Sequence, residues 1–367
     1  MLVAYTYVSH TMEKMQEYID FIFFEVWCKA QDNGSFRLEL FDSNPELHEV
    51  MESFYYSDKK NADFFYGSVE KIYGHFSNLN EKQVRKLKWW YLSNNDIERL
   101  CRNDSGCHIT LYSDLKRKFP TLVDDVNKFF TGLYDFDAAV LKKKVGAIDE
   151  HYQAFMQANT TGKCPFCGIT DMLGVYHTKR EAYDHYLPKG LYPFNSINFK
   201  NLVPACHYCN SSYKTTKNPG YTAKDPVGDI HRRKAFYPYA RTRRRIEITI
   251  DFASSNIEAQ ETDNIQLTFG PTDLSEEIET WKDVYGIEER YKAKCCSPDA
   301  KDWLENMRIM NDCGMDPNIY LATVAEQTDG APLANSNFLK KAFLEGCQRL
   351  GIFEAIIDGR EDCCELT

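Results

Sequence analysis

Two closely spaced pairs of cysteines constrain this chain more than any other feature of its sequence. The pairs are Cys164-Pro-Phe-Cys167 and Cys206-His-Tyr-Cys209. Four thiolates at this spacing match the tetrahedral preference of Zn²⁺ and leave no coordination position open, although an Fe–S centre uses the same ligands. We therefore predict a structural Zn²⁺ site that clamps the segment between the pairs. His207, inside the second pair, is expected to be exposed rather than to be a ligand.

The other cysteines and the apolar pattern predict a cytoplasmic protein. The chain has 13 cysteines, an odd number, and the adjacent pairs Cys295-Cys296 and Cys363-Cys364 do not form a regular disulfide framework. The first residues lack the basic and apolar regions of a secretory signal, and no apolar run approaches the ~18 residues that a membrane span needs. We expect a reducing compartment and no membrane association.

Charge is unevenly distributed along the chain. The formal net charge of −10 excludes a free-standing protein that binds nucleic acid non-specifically through its overall charge. Residues 176–245, however, contain 14 Lys and Arg against 4 Asp and Glu. The basic runs at 232–234 and 241–245 are predicted to contact phosphate rather than to be only a solvated surface.

At 367 residues the chain is long enough for two or three domains. Residues 1–150 are predicted to form an α-helical N-terminal domain. Asn80 and Gln83 have the spacing of a capping box, and Asn44 precedes a proline at the first position of another helix. Apolar residues recur along one helical stripe, which is typical of a helix that packs on a core. The stripe contains Met12, Met15, Ile19, Ile22 and Val26.

Two further domains are predicted after the helical one. Residues 151–240 are expected to form the zinc-clamped domain, with short strands at 175–177 and 183–185 and a helix that begins at Asn210. Residues 241–367 are expected to form a mixed α/β C-terminal domain.

The C-terminal domain is predicted to contain a β-hairpin followed by helices. Apolar and polar residues alternate at 246–252 and again at 265–269, which is the pattern of two paired strands. Helices are predicted at 281–291, 301–310 and 338–350. The predicted fold class is therefore α+β.

Within the zinc-clamped segment, residues 160–240 resemble the HNH nucleases of the His-Me finger, or ββα-metal, superfamily. The residues that carry the resemblance are Asp184-His185, followed by Leu187-Pro188-Lys189, then Asn201, and Asn210 directly after the second cysteine pair. Many members of this family also carry two cysteine pairs around the motif. Because Asn210 stands where many of them have histidine, the chain resembles an HNN variant.

The resemblance implies a ββα-metal core clamped by the four-cysteine zinc site and an activity as a metal-dependent endonuclease. Asp184 and Asn210 would then hold a catalytic Mg²⁺ or Mn²⁺ through oxygen atoms, which are the ligands that these hard cations prefer. His185 would act as the general base on water, and Asn201 would orient its ring through hydrogen bonds.

Two other side chains near the motif are assigned from their positions. Lys214 lies four residues after Asn210, on the same face of the predicted helix, and is predicted to hold the scissile phosphate. His177 lies on the neighbouring strand candidate, where a structural role is favoured over a place in the site.

The predicted function is the hydrolysis of phosphodiester bonds in nucleic acid, with DNA favoured. An RNase with the same core, for example one that cleaves tRNA, is the first alternative, because the chemistry needs no 2′-hydroxyl. A non-catalytic zinc module that binds nucleic acid or scaffolds a complex is the second. The acidic flanks suggest a regulated enzyme, and the resemblance to HNH effectors implies bacterial anti-phage defence beside a partner such as an ABC-type ATPase.

Overall fold

The computed structural model of the protein describes residues 1–57, 59–136, 138–242 and 244–357. In these ranges most of the structure is helical, and two small antiparallel sheets lie in the second half of the chain. The α+β class predicted from the sequence is therefore confirmed. None of the described helices is long and apolar enough to cross a membrane.

The first half of the described chain is built from short helices. The α-helices are α1 (Lys14–Phe21), α2 (Ala30–Asn33), α3 (Pro45–Tyr55), α4 (Lys60–Ala62), α5 (Ser68–Phe76), α6 (Glu81–Asn95), α7 (Ile97–Cys101), α8 (Tyr112–Lys118), α9 (Val123–Leu133), α10 (Ala139–Val145) and α11 (Ile148–Ala158). Between them lie the 3₁₀ turns Thr11–Glu13, Trp27–Lys29 and Leu38–Phe41 and the π-helical segments Ile22–Val26 and Asp63–Gly67.

Local signals in the sequence place several of these helices correctly. The side chain of Asn80 accepts a hydrogen bond from Gln83 N at 3.1 Å, and the Gln83 side chain accepts one from Asn80 N at 2.9 Å. Asn44 caps α3 in the predicted way, with a proline in the first turn. Ile19 and Ile22 of the predicted apolar stripe are fully buried, so this stripe faces a core.

A strand–strand–helix unit lies between the two cysteine pairs and just beyond them. The predicted strand at 183–185 is present as β1 (Ala182–His185), which pairs antiparallel with β2 (Leu202–Ala205). The π-helical segment Tyr208–Lys214 follows, and we call it the knuckle helix. The predicted strand at 175–177 is wrong, because His177 N donates to Gly174 O at 3.0 Å and closes a turn there.

The last part of the described chain confirms the predicted hairpin and corrects one helix. Strand β3 (Glu247–Phe252) pairs antiparallel with β4 (Ile265–Gly270). The predicted helix at 281–291 is interrupted at Gly286, whose φ of 59° lies in the left-handed region. A β-carbon there would lie 2.3 Å from the ring of Tyr213. The helices are α12 (Ser275–Tyr285), α13 (Ile287–Cys295), α14 (Pro298–Asp312), α15 (Pro317–Gly330) and α16 (Asn337–Arg349), with 3₁₀ turns at Ile257–Ala259, Thr262–Asn264, Thr272–Leu274 and Ala334–Ser336.

Buried apolar side chains of the described residues form two clusters. One joins the N-terminal helices and takes in Phe194 and Ile197 from the loop between β1 and β2. The other joins the cysteine-bounded segment with the C-terminal elements and with Met1 and Leu2 at the start of the chain. The domain boundaries near residues 150 and 240 stay predictions, but the segment between them packs against both of its neighbours.

Buried asparagines tie the β1–β2 loop to the N-terminal helices. Asn94, at the end of α6, donates to Thr110 O at 2.8 Å and to Pro193 O at 3.0 Å, and it accepts from Thr110 N at 3.0 Å. Asn198 of the loop donates to Asn95 O at 3.0 Å. The helical half of the protein thus holds the loop that connects the two strands.

Replacing Asn94 with alanine should lower the free energy of unfolding by about 1–3 kcal/mol, because buried backbone groups of Thr110 and Pro193 would lose their partner. Denaturant unfolding followed by circular dichroism measures the change. Asn78→Ala is the matched control, since the Asn78 amide bonds to Gly74 O at an exposed position. Equal losses in the two variants would contradict the role of Asn94.

Candidate metal centre and active site

The two cysteine pairs come together in one buried group. Their four sulfur atoms all lie within 4.8 Å of one another, and Cys164 Sγ is 3.8 Å from Cys209 Sγ. Four thiolates at ~2.3 Å from a tetrahedral Zn²⁺ would be about 3.8 Å apart, so the observed spacing fits such an ion. Every cysteine of the group is at most 1% exposed. The group, which we call the cysteine cage, can hold a structural metal such as zinc.

Backbone hydrogen bonds shape the turns that carry the sulfur atoms. In the first turn, Gly168 N donates to Cys164 O at 2.6 Å, and Cys164 N donates to Thr170 O at 2.8 Å. In the second, Cys209 N donates to Cys206 Sγ at 3.5 Å. The backbone bonds fix the shape of the first turn, and the bond to Cys206 Sγ orients that sulfur atom for a metal.

Arg290 of α13 lies against the cage, and sequence reasoning missed it. Its Nη1 donates to Cys209 Sγ at 3.2 Å, and the residue is only 7% exposed. Burial lowers the pKa of the Arg290 guanidinium, but the neighbouring Cys167 and Cys209 raise it, and the net direction is upward. Four thiolates carry more negative charge than one divalent cation neutralises, and this guanidinium offsets part of the excess. No spacing pattern in the sequence links two residues so far apart.

The C-terminal helices also fix the first cysteine turn. Trp281 Nε1 donates to Phe166 O at 2.6 Å, and Tyr291 OH donates to Cys167 O at 2.9 Å. Leu2 N donates to Pro165 O at 2.9 Å from the other side. The turn is therefore held by α12, by α13 and by the start of the described chain.

On the helix side of the two-stranded sheet, Asp184 and Lys214 form a buried ion pair. Lys214 Nζ lies 2.8 Å from Asp184 Oδ1 and donates at 2.8 Å to His185 O. The side chains of Lys214 and Asp184 are 1% and 3% exposed. Burial raises the pKa of Asp184, and the Lys214 ammonium opposes this shift. Asp184 Oδ2 has no hydrogen-bond partner within the described residues.

The knuckle helix explains why Lys214 reaches Asp184. The helix starts inside the second cysteine pair, and Thr215 N donates to Asn210 O at 2.9 Å across a π-helical turn. Residues four apart lie on nearly the same face of such a turn, as the sequence predicts for Asn210 and Lys214. Asn210 is partly exposed, and Lys214 is buried. The contact of Lys214 with a phosphate stays a prediction, and it requires the Lys214 ammonium to leave Asp184.

His185 lies at the end of β1 and packs against the N-terminal helices. Its Nε2 donates to Ser196 O at 2.8 Å, which leaves Nδ1 as the acceptor of the neutral ring. The ring of Tyr134 contacts it edge-on, with centroids 4.4 Å apart. Burial lowers the pKa of His185 to about 4, and the Lys189 and Lys214 cations contribute in the same direction. The imidazole is therefore neutral at physiological pH.

Asn201 supports the backbone after His185 instead of the histidine ring. Its Oδ1 accepts from Leu187 N at 2.8 Å, and its Nδ2 donates to Leu187 O at 3.0 Å. The prediction that Asn201 orients His185 through its hydrogen bonds stays a prediction, and the partner of the His185 ring in the structure is Ser196 O. Asn201 acts one step away, because it fixes the chain that leaves β1.

Two cations that sequence reasoning did not assign lie on the His185 side of the sheet. Lys189 Nζ lies 4.7 Å from the ring centroid of Tyr134 and 3.0 Å from Asp135 Oδ2. Arg180 packs over the Tyr183 ring at 5.8 Å. Tyr134 and Arg180 line a cavity of about 380 Å³. Lys189 belongs to the motif that carries the family resemblance, so the sequence did contain a signal that could have placed it near the site.

The predicted basic runs are largely paired with acidic side chains of the C-terminal segment, while Arg243 lies outside the described residues. The ion pairs are Arg233–Asp283 at 2.7 Å, Lys234–Glu276 at 3.5 Å, Arg244–Asp273 at 3.4 Å and Arg245–Asp329 at 2.7 Å. The side chain of Arg233 is largely buried, whereas the other three pairs are exposed. Exposed pairs contribute about 0–1 kcal/mol, so a phosphate can compete for those three. His177 and His207 are both exposed.

Comparison of this chain with known protein families, with curated proteins and with solved structures gives no match.

Cys206→Ala should remove the bound metal and much of the stability, because a structural zinc site contributes about 10 kcal/mol or more of apparent binding free energy. Metal content by mass spectrometry and thermal unfolding measure both effects. Cys101→Ala is the matched control, since Cys101 and Cys206 are each 1% exposed but Cys101 lies outside the cage. Full zinc content in Cys206→Ala would contradict the cage.

Proposed function

We propose that this protein is a metal-dependent endonuclease of the HNH type, with DNA as the favoured substrate and the cysteine cage filled by zinc. The observation that carries the proposal is the position of Asp184-His185 at the end of β1, paired with β2 and followed by the knuckle helix. This order of elements is the one that the family resemblance implies. The Asp184 side chain pairs with Lys214 of the knuckle helix, while the His185 ring contacts Tyr134 from the N-terminal half.

In this proposal His185 is the general base. Its Nε2 donates a hydrogen bond to Ser196 O, so Nδ1 is the atom that can accept a proton from water. Because the β1–β2 loop that carries Ser196 is tied to α6 and α9, the ring is held in one orientation. Ser196 Oγ donates to Phe130 O and forms the link to α9.

A divalent cation would be held by Asp184 and Asn210 in the same proposal. The donor chemistry fits, because both residues offer oxygen atoms and Asp184 Oδ2 is buried without a partner among the described residues. When bound, Mg²⁺ or Mn²⁺ would supply charge neutralisation for the phosphate and for the leaving alkoxide. Lys189 and Arg180 lie on the side of the sheet that carries His185, where they pair with Asp135 and Asp149, so a phosphate would have to compete with these carboxylates for them.

The wider context of the activity is proposed from charge and resemblance. A basic segment within an acidic chain favours a nuclease that works only when a partner delivers or positions its substrate. This fits a regulated effector of bacterial anti-phage defence, with an ABC-type ATPase as the kind of partner and RNA as the alternative substrate.

A specific observation also favours a second candidate, a non-catalytic zinc module that binds nucleic acid or scaffolds a complex. The Lys214 ammonium already neutralises Asp184 in a site that is almost inaccessible to solvent. A permanent ion pair there would leave the predicted cation without its carboxylate ligand.

His185→Ala should reduce the rate of cleavage of plasmid DNA with Mg²⁺ or Mn²⁺ by about 10²–10⁴-fold, because the base that activates water is lost. Gel-based cleavage assays on plasmid and on RNA measure the rate and identify the polymer. His48→Ala, on α3, is the control that should keep wild-type activity. Activity that survives His185→Ala would contradict the assignment, and a wild type inactive on both polymers, alone or with its partner, would favour the scaffold.

The rate of cleavage should stay high down to an acidic pH. His185 works as a base only when neutral, and it is neutral above its pKa of about 4. The part of the acid limb of the pH–rate profile that comes from protonation of His185 should therefore lie near that value, below the ~6.5 of an ordinary histidine. Asp184, whose pKa is raised by burial, must also stay ionised to hold the cation. A stopped assay across this range, on protein shown to remain folded, measures the limb. A limb at the ordinary histidine value would contradict the burial of the ring.

A further inference from the structure

Lys214 places a positive charge inside the site that is proposed for a divalent cation. Its Nζ lies 2.8 Å from a carboxylate oxygen of Asp184 and 2.8 Å from the carbonyl oxygen of His185. Carboxylate and backbone carbonyl oxygens are also ligands that hard divalent cations use. Lysine is almost never fully buried unless it is paired, so the ion pair with Asp184 is what allows Lys214 to be buried here.

Charge balance makes the ammonium and a divalent cation exclude one another. Asp184 is the acidic side chain that pairs with Lys214, and Asn210 is neutral. A divalent cation beside the ammonium would put two positive groups against one carboxylate, and the Lys214 and Asp184 side chains are almost fully buried. Like charges at such a distance repel strongly when solvent does not screen them.

The local backbone offers a way for the ammonium to leave. Lys214 is the last residue of the π-helical knuckle helix, and Thr215 after it has a φ of 47°, which is unusual for a β-branched residue. A π-helical turn is rare and holds one more residue per hydrogen-bonded ring than an α-helical turn. If this turn relaxed to an α-helical one, the position of the Lys214 side chain relative to Asp184 would change.

We infer that the Lys214 ammonium is the resident counter-ion of Asp184 and that a divalent cation binds there only by displacing it. Asp184 Oδ2 is buried and has no partner among the described residues, so it is the carboxylate oxygen that remains unused for such a cation. This inference deepens the proposed function, on which it rests, because it concerns the cation of the same site.

Amine labelling of the wild-type, zinc-loaded protein tests displacement without a substitution. Brief acylation followed by mass spectrometry should leave Lys214 unmodified and should modify Lys217, whose side chain is 44% exposed against 1% for Lys214. Saturating Mg²⁺ should raise the labelling of Lys214 several-fold and leave that of Lys217 unchanged. Labelling of Lys214 that does not respond to Mg²⁺ would overturn the inference.

Mn²⁺ binding, measured by electron paramagnetic resonance, tests the competition directly. Lys214→Gln should bind one Mn²⁺ at least tenfold more tightly than the wild type, because no ammonium has to be displaced. Lys217→Gln is the control and should bind as the wild type does. The double variant Asp184→Asn/Lys214→Gln should lose the added site. Equal Mn²⁺ affinity in the wild type and Lys214→Gln would also overturn the inference.

These outcomes separate the inference from the proposed function. Tight Mn²⁺ binding by Lys214→Gln without cleavage by any variant would support the inference and contradict the nuclease. Cleavage by the wild type that depends on His185, with Mn²⁺ affinity unaffected by Lys214→Gln, would support the nuclease and contradict the inference. Retained zinc content and circular dichroism establish that each variant is folded.

Discussion

The convergence of four sulfur atoms fixes where the rest of the site can lie. Strand β2 ends at Ala205 and the second cysteine pair begins at the next residue, so the knuckle helix has to leave the sheet at the cysteine cage. That geometry brings Lys214 back to Asp184 on β1. Four thiolates held this close repel one another unless they share a cation, and thiolates that are held together bind a metal strongly. The cage, the sheet and the helix are therefore one structural unit.

The two faces of this small sheet have different neighbours and different chemistry. Asp184 faces the knuckle helix, where the C-terminal helices supply Arg290 to the cage. His185 faces the N-terminal helices, which hold Ser196 through the β1–β2 loop. Each half of the protein thus positions one part of the proposed site. A change in the packing of either half would therefore alter the surroundings of one of these two adjacent residues.

Predictions from the sequence are correct where the signal lies in neighbouring residues. They are wrong or missing where a contact with a distant residue determines the local structure. The cysteine spacing, the capping box at Asn80 and the period-two alternation of the hairpin each depend on neighbours in the chain, and each is confirmed. The break at Gly286 depends on the ring of Tyr213, which no local pattern reveals.

The proposed site shows the same division. The positions of Asp184 and His185 on β1 follow from the motif, as does the shared face of Asn210 and Lys214. The Lys214 ammonium is buried because it pairs with the carboxylate of Asp184 on β1. The His185 ring is hydrogen-bonded to the backbone carbonyl of Ser196, and a backbone carbonyl has no sequence signature. Backbone partners and buried ion pairs are properties of packing, so only the structure discloses them.

The central claim is that His185 activates water to cleave a phosphodiester bond. Single-turnover cleavage in ¹⁸O-labelled water, with mass spectrometry of the products, tests it most directly. The wild type should place one ¹⁸O atom on the new terminal phosphate that forms at each cleaved bond, and His185→Ala should form almost no labelled product in the same time. Products that carry no label, or equal labelled product from both proteins, would contradict the claim.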